Sequence, residues 1–140
     1  MQASFELFDH TADIGVRVRA PSLAELAVPA ARALYTIIGE LVTDPGVPEL
    51  RQFDLVGDDA AVLLRDLLAE LLFIFEDERR IAVHIDVAEF TATHLRADAR
   101  LLRTSVERSV YHHEVKAVTY HELGLRAIEG DCEFVYIVDI

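Results

Sequence analysis

The sequence predicts an α+β fold, a single-domain two-layer sandwich in which two main helices pack on a mixed β-sheet. Three observations predict it. Polar and apolar residues alternate over 14–19, as in a strand with one solvated face. Helical periodicity extends over 58–78, and two β-rich runs, 114–128 and 132–140, follow later. At 140 residues the chain has the usual length of one domain, and no linker or repeat divides residues 1–140.

The first helix is predicted after Pro21, where Ser22 and Glu25 form a capping box ahead of apolar residues at helical spacing. Pro29 falls inside this helix. Because proline lacks an N–H group and clashes with the preceding turn, we expect either a kink or a short first turn followed by the main helix. The sequence TDPGVPE at 43–49 is a loop that ends the element.

The second helix is the most regular element of the sequence. Leucine and phenylalanine recur at intervals of three and four residues within 58–78. Asp58 and Asp59 lie at its start, where a helix N-terminus favours negative charge. Three further residues widen the apolar surface: Leu63, Phe73 and Ile74. We therefore expect this helix to lie deep against a sheet.

The remaining strands are predicted from β-branched residues and turn signals. Segment 50–56 is a short strand, and the alternation over 81–99 indicates two adjacent strands. The sequence EGD at 129–131 is a turn signal between the last two β-rich runs. Since residues 134–138 are apolar on both faces, we expect the final strand to be internal to the sheet.

The charge balance excludes one class of function. The 25 acidic and 13 basic residues give a net charge of -12, whereas stable nucleic-acid binding depends on basic side chains that neutralise phosphates. Excess carboxylate is compatible with cations, a basic protein partner or solubility alone. No window approaches the roughly 18 apolar residues of a membrane span. The single cysteine and the absence of a leader pattern lead us to expect a cytoplasmic protein without membrane contact.

Acidic residues near both ends of the sequence are candidate metal ligands. Segment 9–13 carries two aspartates, and the sequence closes on Asp139 and Ile140. Aspartates and a terminal carboxylate would suit a hard cation if the chain ends meet, as they would if the final strand pairs with an N-terminal one. On the residues alone, a solvated surface turn in which Asp13 caps local backbone groups is the more economical interpretation.

A polar patch is predicted in the segment VKAVTYHE at 115–122. As a strand it would divide its side chains between two faces, with Lys116, Val118 and Tyr120 on one and Ala117, Thr119 and His121 on the other. Such a patch could contact a phosphate or a partner's carboxylate, and an ordinary strand with polar edges is the alternative. The sequence contains no zinc, nucleophile-elbow or phosphate-loop motif.

Several stretches of the sequence resemble the archease family in collinear order over nearly the whole chain. They are DHTADIGVRVRAPSLAEL followed by AARAL, then LLRDLLAELLFIFE, VKAVTYHEL and VDI. The first resembles the family's N-terminal signature, the next its long middle helix, and the last two its closing strands. Ordered motifs form a more specific signal than any single short pattern, so residues 1–140 are interpreted as one archease-like domain.

The resemblance implies an accessory protein rather than an enzyme. Its partner would be an RtcB-type RNA ligase, which joins RNA ends in tRNA splicing and RNA repair using GTP and a divalent metal. The family promotes guanylylation of the ligase and allows multiple turnover, while the joining chemistry stays in the ligase. We therefore expect an RNA ligase activator that acts in tRNA processing.

The resemblance also implies functional residues. The family's metal site, best described with calcium, falls here on Asp13, Asp139 and Ile140, with magnesium and manganese as alternative ions. Ile140 would contribute only main-chain or terminal carboxylate oxygens. The further candidates are Lys116 and His121, as contacts to the partner or to phosphate, and Asp9 and His10, as outer-shell residues.

Two other functions compete with the activator. A chaperone-like modulator of tRNA-modifying enzymes, for example a tRNA methyltransferase, would act through exposed apolar surface and would not need the aspartates. A free-standing metal-dependent hydrolase would use the same carboxylates for general-base chemistry, and it would turn over substrate without a partner.

Overall fold

The computed structural model describes residues 2–10 and 12–140; Thr11 and the side chain of His10, a predicted outer-shell group, lie outside the description. Its two helices are α1 (Ala27–Ile38) and α2 (Ala60–Glu78). Its strands are β1 (Ser4–His10), β2 (Asp13–Ala20), β3 (Gly39–Glu40), β4 (Glu49–Val56), β5 (Arg80–Phe90), β6 (His94–Arg103), β7 (Val110–Tyr111), β8 (Ala117–Val118), β9 (Gly124–Ile128) and β10 (Asp131–Asp139). None of the helices in this part of the chain is long and apolar enough to cross a membrane.

The predicted α+β class is confirmed, with both helices packed against β-structure around one hydrophobic core. The largest sheet has the order β1-β2-β10-β8, and β9 also pairs with β10. A second sheet has the order β4-β6-β5, and β3 pairs with β7. Every ladder among the described strands is antiparallel, so antiparallel sheets replace the single mixed sheet that we expected. Hairpins account for three of these ladders, because short turns join β1 to β2, β5 to β6 and β9 to β10.

The start of α1 follows the predicted capping box. The Ser22 hydroxyl donates to Glu25 Oε2 (2.8 Å), and the Glu25 N–H donates to Ser22 Oγ (3.4 Å). A short 3₁₀ turn at Ala24–Leu26 leads into α1, where Pro29 is the third residue. Since N–H groups of a first turn have no intrahelical acceptor, proline is tolerated there. The expectation of a short first turn before the main helix is confirmed.

The predicted second helix is confirmed as α2. Asp59 caps it, because its Oδ1 accepts from the N–H groups of Ala61 (2.8 Å) and Val62 (3.2 Å). The assignment of Phe73 to the packed surface is wrong, since its side chain is 62 % exposed. Phe73 follows the buried Leu71 by two residues, a rotation of about 200° that carries it to the solvent side.

The final strand is internal, as predicted. β10 lies between β2 on one side and β8 and β9 on the other. Phe134, Tyr136 and Val138 are fully buried, and the Tyr136 hydroxyl donates to the Ala30 carbonyl (2.8 Å). Burial raises the pKa of the Tyr136 phenol, so that group stays a neutral donor. The EGD turn is also confirmed, with positive φ at Glu129 and Gly130.

Candidate functional site

The N-terminal hairpin and the last strand meet in one antiparallel ladder. β10 pairs with β2 along its whole length, ending with Asp139 opposite Asp13. Because directly opposite side chains share a sheet face, with Cβ atoms about 4.5–5.5 Å apart, the two carboxylates are cross-strand neighbours. Both residues are half-buried. The expectation that the chain ends meet is therefore confirmed.

The strand positions beside this acid pair are apolar and closely packed. Gly15 lies opposite both Phe8 on β1 and Ile137 on β10. A Cβ atom on Gly15 would overlap the Phe8 ring, so that ring lies directly over the glycine. The Arg17 guanidinium stands 4.9 Å from the centroid of the Phe8 ring, and Ile137 is fully buried. Apolar neighbours reduce solvent screening and so strengthen the field of the carboxylates.

Lys116 and Ile140 also reach the acid pair. The Lys116 N–H donates to the main-chain oxygen of Asp139 (2.7 Å), and Ala117 lies opposite Asp139 in the β8–β10 ladder. This hydrogen bond ties the end of β10 to the segment that leads into β8. The side chain of Ile140 packs against the core and fixes the end of β10.

The predicted strand over 115–122 is mostly wrong. Only Ala117–Val118 pairs with β10, and Val118 is buried while Lys116 and Tyr120 are exposed. The N–H and the hydroxyl of Thr119 still donate to the Ile137 carbonyl (2.9 and 3.0 Å), and the chain then turns, with the Leu123 N–H donating to the Tyr120 carbonyl (3.3 Å). The exposed His121 follows, and its N–H donates to Thr119 Oγ1 (3.2 Å).

Arg65 on α2 holds this segment in place. Its Nε donates to the Val118 carbonyl (2.9 Å), its Nη1 donates to the Tyr120 hydroxyl (2.9 Å), and its guanidinium lies 4.2 Å from the centroid of the Tyr120 ring. Sequence reasoning missed this role, because an arginine on a helix surface has no local signal for contacts 53 to 55 residues away. For Gly15 there was a signal, since a lone glycine in an alternating strand marks a close approach.

The described residues bring two carboxylates together at this site. Among them, no group of three or more histidine, cysteine, aspartate or glutamate side chains is arranged to hold a metal ion. Asp9 lies opposite Ile14, one position along from the Asp13 register, so alternation places it on the other face of the sheet. Asp13 and Asp139 are thus the two predicted acidic residues that the ladder brings together.

Comparisons with known proteins agree over nearly the whole chain. The sequence profile of the Archease protein family (MTH1598/TM1083) matches residues 5–140. Protein archease of Methanopyrus kandleri is 34 % identical over 140 residues, which is 97 % of this chain and 99 % of that protein. Protein archease of Pyrococcus abyssi is 34 % identical over 128 residues, which is 89 % of each.

Solved structures have the same fold. The solution structure of Methanobacterium thermoautotrophicum protein 1598 superposes with a TM-score of 0.76 at 27 % identity, covering 98 % of this chain and 99 % of its own. A crystal structure from Thermotoga maritima, described as an archease and possible chaperone, gives a TM-score of 0.66 at 19 % identity over 96 % of each chain. The second likeness supports the fold alone.

Proposed function

Because this chain belongs to the archease family, we propose that it is an accessory protein that activates an RtcB-type RNA ligase. It would promote GTP-dependent guanylylation and multiple turnover of the ligase in tRNA splicing and RNA repair. The joining chemistry would stay in the ligase. The observation that carries the proposal is the register of Asp13 with Asp139, which makes neighbours of two carboxylates from opposite ends of the chain.

The acid pair fits a divalent cation, which we propose to be calcium, with magnesium or manganese as alternatives. Like charges directly opposite each other on a sheet repel, and a cation between Asp13 and Asp139 would relieve that repulsion. Carboxylate oxygens are also the donors that hard cations prefer. Ile140 would add an oxygen of its main chain. When bound, the ion would supply positive charge that orients and polarises oxygen groups brought to it.

An incomplete ligand set supports a site that is shared with the partner. Calcium takes about six to eight oxygen ligands, more than two aspartates and Ile140 supply. Water and oxygens of the ligase or its nucleotide would complete the coordination shell of the ion. This would occur when the end of the sheet that carries Asp13 and Asp139 enters the ligase active site. The net charge of -12 would favour approach to a basic ligase surface, because complementary potentials speed encounter. Lys116, whose main-chain N–H donates to the Asp139 carbonyl, would contact a phosphate there.

The proposal is tested by guanylylation of a cognate ligase with GTP, with and without this protein. Asp13→Asn and Asp139→Asn keep side-chain size and remove one negative charge each. We expect each variant to lose at least about 90 % of the stimulation, since one tenfold step corresponds to about 1.4 kcal/mol and charged contacts are worth that much or more. The matched control is Asp98→Asn, in an exposed cross-strand aspartate pair on another sheet. Full stimulation by folded Asp13→Asn and Asp139→Asn variants would refute the activator mechanism.

A chaperone-like modulator of tRNA-modifying enzymes is the second candidate. It is favoured by large apolar side chains that remain exposed: Val47, Val56, Phe73 and Val106. It predicts that Asp13→Asn and Asp139→Asn keep full activity, whereas Phe73→Ser and Val106→Ser reduce it. The same set of four variants therefore separates the two candidates.

A further inference from the structure

A cleft of about 870 Å³ opens beside Lys116, between the C-terminal half of α2 and the segment that leads into β8. Small-molecule sites in proteins have volumes of roughly 300–1,000 Å³. The residues of its wall that could bind a ligand are aromatic, cationic or imidazole side chains: Phe75, Arg79, Tyr111, His112, His113 and Lys116. The acid pair lies on the sheet and is separate from this wall, to which it is joined through the Lys116 main chain.

Two cations on this wall have no carboxylate partner in the part of the chain that the structure describes. Seven arginines elsewhere in the described chain form ion pairs, as expected in a protein with 25 acidic residues. Arg79 and Lys116 are exposed, and neither has a carboxylate within ion-pair distance among the described residues. Glu76 and Glu114 also line the cleft, so two acidic and two basic side chains give it a formal charge of zero. The chain as a whole is strongly negative. A small anion would meet no net negative charge here, while a long polyanion would meet the negative surface around the cleft.

An aromatic surface stands beside these cations. The side chain of Tyr111 is 45 % exposed, and its ring lies 6.5 Å from the ring of the buried Phe75 at an angle of 54°. The Arg79 guanidinium lies 4.9 Å from the centroid of the Phe75 ring. An exposed ring supported by a buried one offers a platform on which a nucleobase can stack, and stacking of this kind accepts any base.

The main chain holds these groups in a preformed arrangement. Arg79 has φ of 56° at the end of α2, and its carbonyl accepts from both the N–H (2.7 Å) and the hydroxyl (2.9 Å) of Thr104. The N–H groups of His112 and His113 both donate to the Ile38 carbonyl, at 2.8 and 3.3 Å. Preformed groups bind a ligand with less loss of conformational entropy.

We propose that this cleft binds a mononucleotide, with its phosphate between Arg79 and Lys116 and its base against Tyr111. Such binding is a property of this chain alone and goes beyond the activator role. The ligand combines the two chemistries of the wall, an anionic group for the unpaired cations and a flat π-system for the exposed ring. Because the Lys116 N–H is bonded to Asp139, the phosphate would lie at the end of the strand that carries the acid pair.

Binding is measured by titration calorimetry on the isolated protein with GTP and GMP. Two controls each contain one part of the nucleotide: guanosine lacks the phosphate, and inorganic phosphate lacks the base. We expect both nucleotides to bind at least about tenfold more tightly than either half, because charge-assisted contacts and stacking each contribute about a factor of ten. Equal affinity for GTP and inorganic phosphate would overturn the proposal, as would tighter binding of a single-stranded RNA than of GTP.

Variants locate the site. Arg79→Ala and Lys116→Ala are expected to weaken GTP binding about tenfold each. Tyr111→Ala is expected to weaken it, whereas Tyr111→Phe, which keeps the ring, is expected to bind as the wild type does. The charge-matched control is Arg96→Ala, which removes another exposed arginine that has no ion pair among the described residues. Equal loss in Arg96→Ala and Arg79→Ala would show a general charge effect and contradict the assignment.

The sequence offers an independent measurement, because Lys116 is its only lysine. Acetylation by an N-hydroxysuccinimide ester transfers the acetyl group to the amine and releases N-hydroxysuccinimide, and mass spectrometry of the Lys116 peptide follows the rate. We expect saturating GTP to slow this rate at least about fivefold, with no change at the N-terminal amine. An unchanged rate at Lys116 would overturn the proposal. No ligase is present in either experiment, so these results and those of the guanylylation test are separate.

Discussion

Two cross-strand pairs of aspartates lie on different sheets of this molecule. Asp13 faces Asp139 in the five-stranded sheet, and Asp86 faces Asp98 in the three-stranded sheet. The second pair is exposed, the Asp86 side chain by 75 %, and Asp86 lies 3.1 Å from His84 Nε2. The first pair is half-buried next to the Phe8 ring over Gly15. Water and salt screen the exposed pair, whereas the half-buried pair keeps more of its mutual repulsion.

The comparison of the two pairs distinguishes the effect of strand register from the effect of the surrounding residues. Both ladders place like charges opposite each other, so register by itself does not make a cation site. The difference lies in the surroundings, because a cation gains most where two carboxylates repel each other under weak screening. If this is correct, changes at Asp13 and Asp139 have large effects and the same changes at Asp98 have small ones.

The largest expected effect is on calcium binding by the isolated protein. Removal of one carboxylate from a site with two should weaken calcium binding about 100-fold or more, through loss of a ligand and of half the negative charge. Asp13→Asn and Asp139→Asn are therefore expected to abolish measurable heat in calorimetry at millimolar calcium. Asp98→Asn should match the wild type. Equal weakening in all three variants would mean that calcium responds to net charge alone, and the comparison of the two pairs would fail.

Much of the fold was predictable because it depends on short-range patterns. The alternation over 14–19, the capping box of Ser22 and Glu25, and the periodicity of α2 each reflect interactions within a few residues. The two-sided apolar character of β10 predicted an internal strand, and that position is what brings Asp139 to Asp13. The pairing of two distant segments could be predicted here because both faces of one strand are apolar.

The missed features depend on contacts between distant segments. The predicted strand over 115–122 pairs only at Ala117–Val118, and Thr119 contacts Ile137, 18 residues away, through both its hydroxyl and its N–H. Arg65 lies on the surface of α2, yet it donates to the Val118 carbonyl and to the Tyr120 hydroxyl. Phe73 belongs to an apolar run whose buried face was already filled by its neighbours. Local periodicity contains no information on the contacts of Thr119 and Arg65, whereas the exposure of Phe73, about 200° around the helix from Leu71, follows from helix geometry.

A smaller effect, on both stability and calcium binding, is expected when the packing of the Phe8 ring over Gly15 is disturbed. Gly15→Ala places a methyl group where the Phe8 ring lies, and overpacking of this kind costs about 1–3 kcal/mol of the free energy of unfolding. Urea unfolding measures that cost, and calorimetry should show weaker calcium binding as the ring is displaced. The control is Gly124→Ala on the same sheet, where an added Cβ meets only the Glu122 carbonyl at 4.0 Å. Equal losses of stability in the two variants would contradict the close contact of Phe8 with Gly15.

The smallest expected effect is on the stability of the three-stranded sheet. On the outer face of this sheet, an imidazole lies between two carboxylates. His94 on β6 contacts Asp54 on β4 through Nε2 and Glu89 on β5 through Nδ1. The hydrogen bond to Asp54, followed by the charges of Asp54 and Glu89, raises the pKa of His94 above its ordinary value of 6.5. Only the imidazolium donates from both nitrogens, so protonation is what satisfies both carboxylates.

The sign of the pH dependence follows from that raised pKa. A group whose pKa is higher in the folded state stabilises it fully below the unfolded value, near 6.5, and this contribution is lost as pH rises through the folded value. Urea midpoints of the wild type should therefore fall between pH 5.5 and pH 8.5 by more than those of His94→Gln. His84→Gln, which removes the pairing of His84 with the exposed Asp86, should behave as the wild type does. An identical fall in wild type and His94→Gln would mean that the pairing across β4, β6 and β5 adds nothing, and the two sheets would then differ only in the burial of their aspartates.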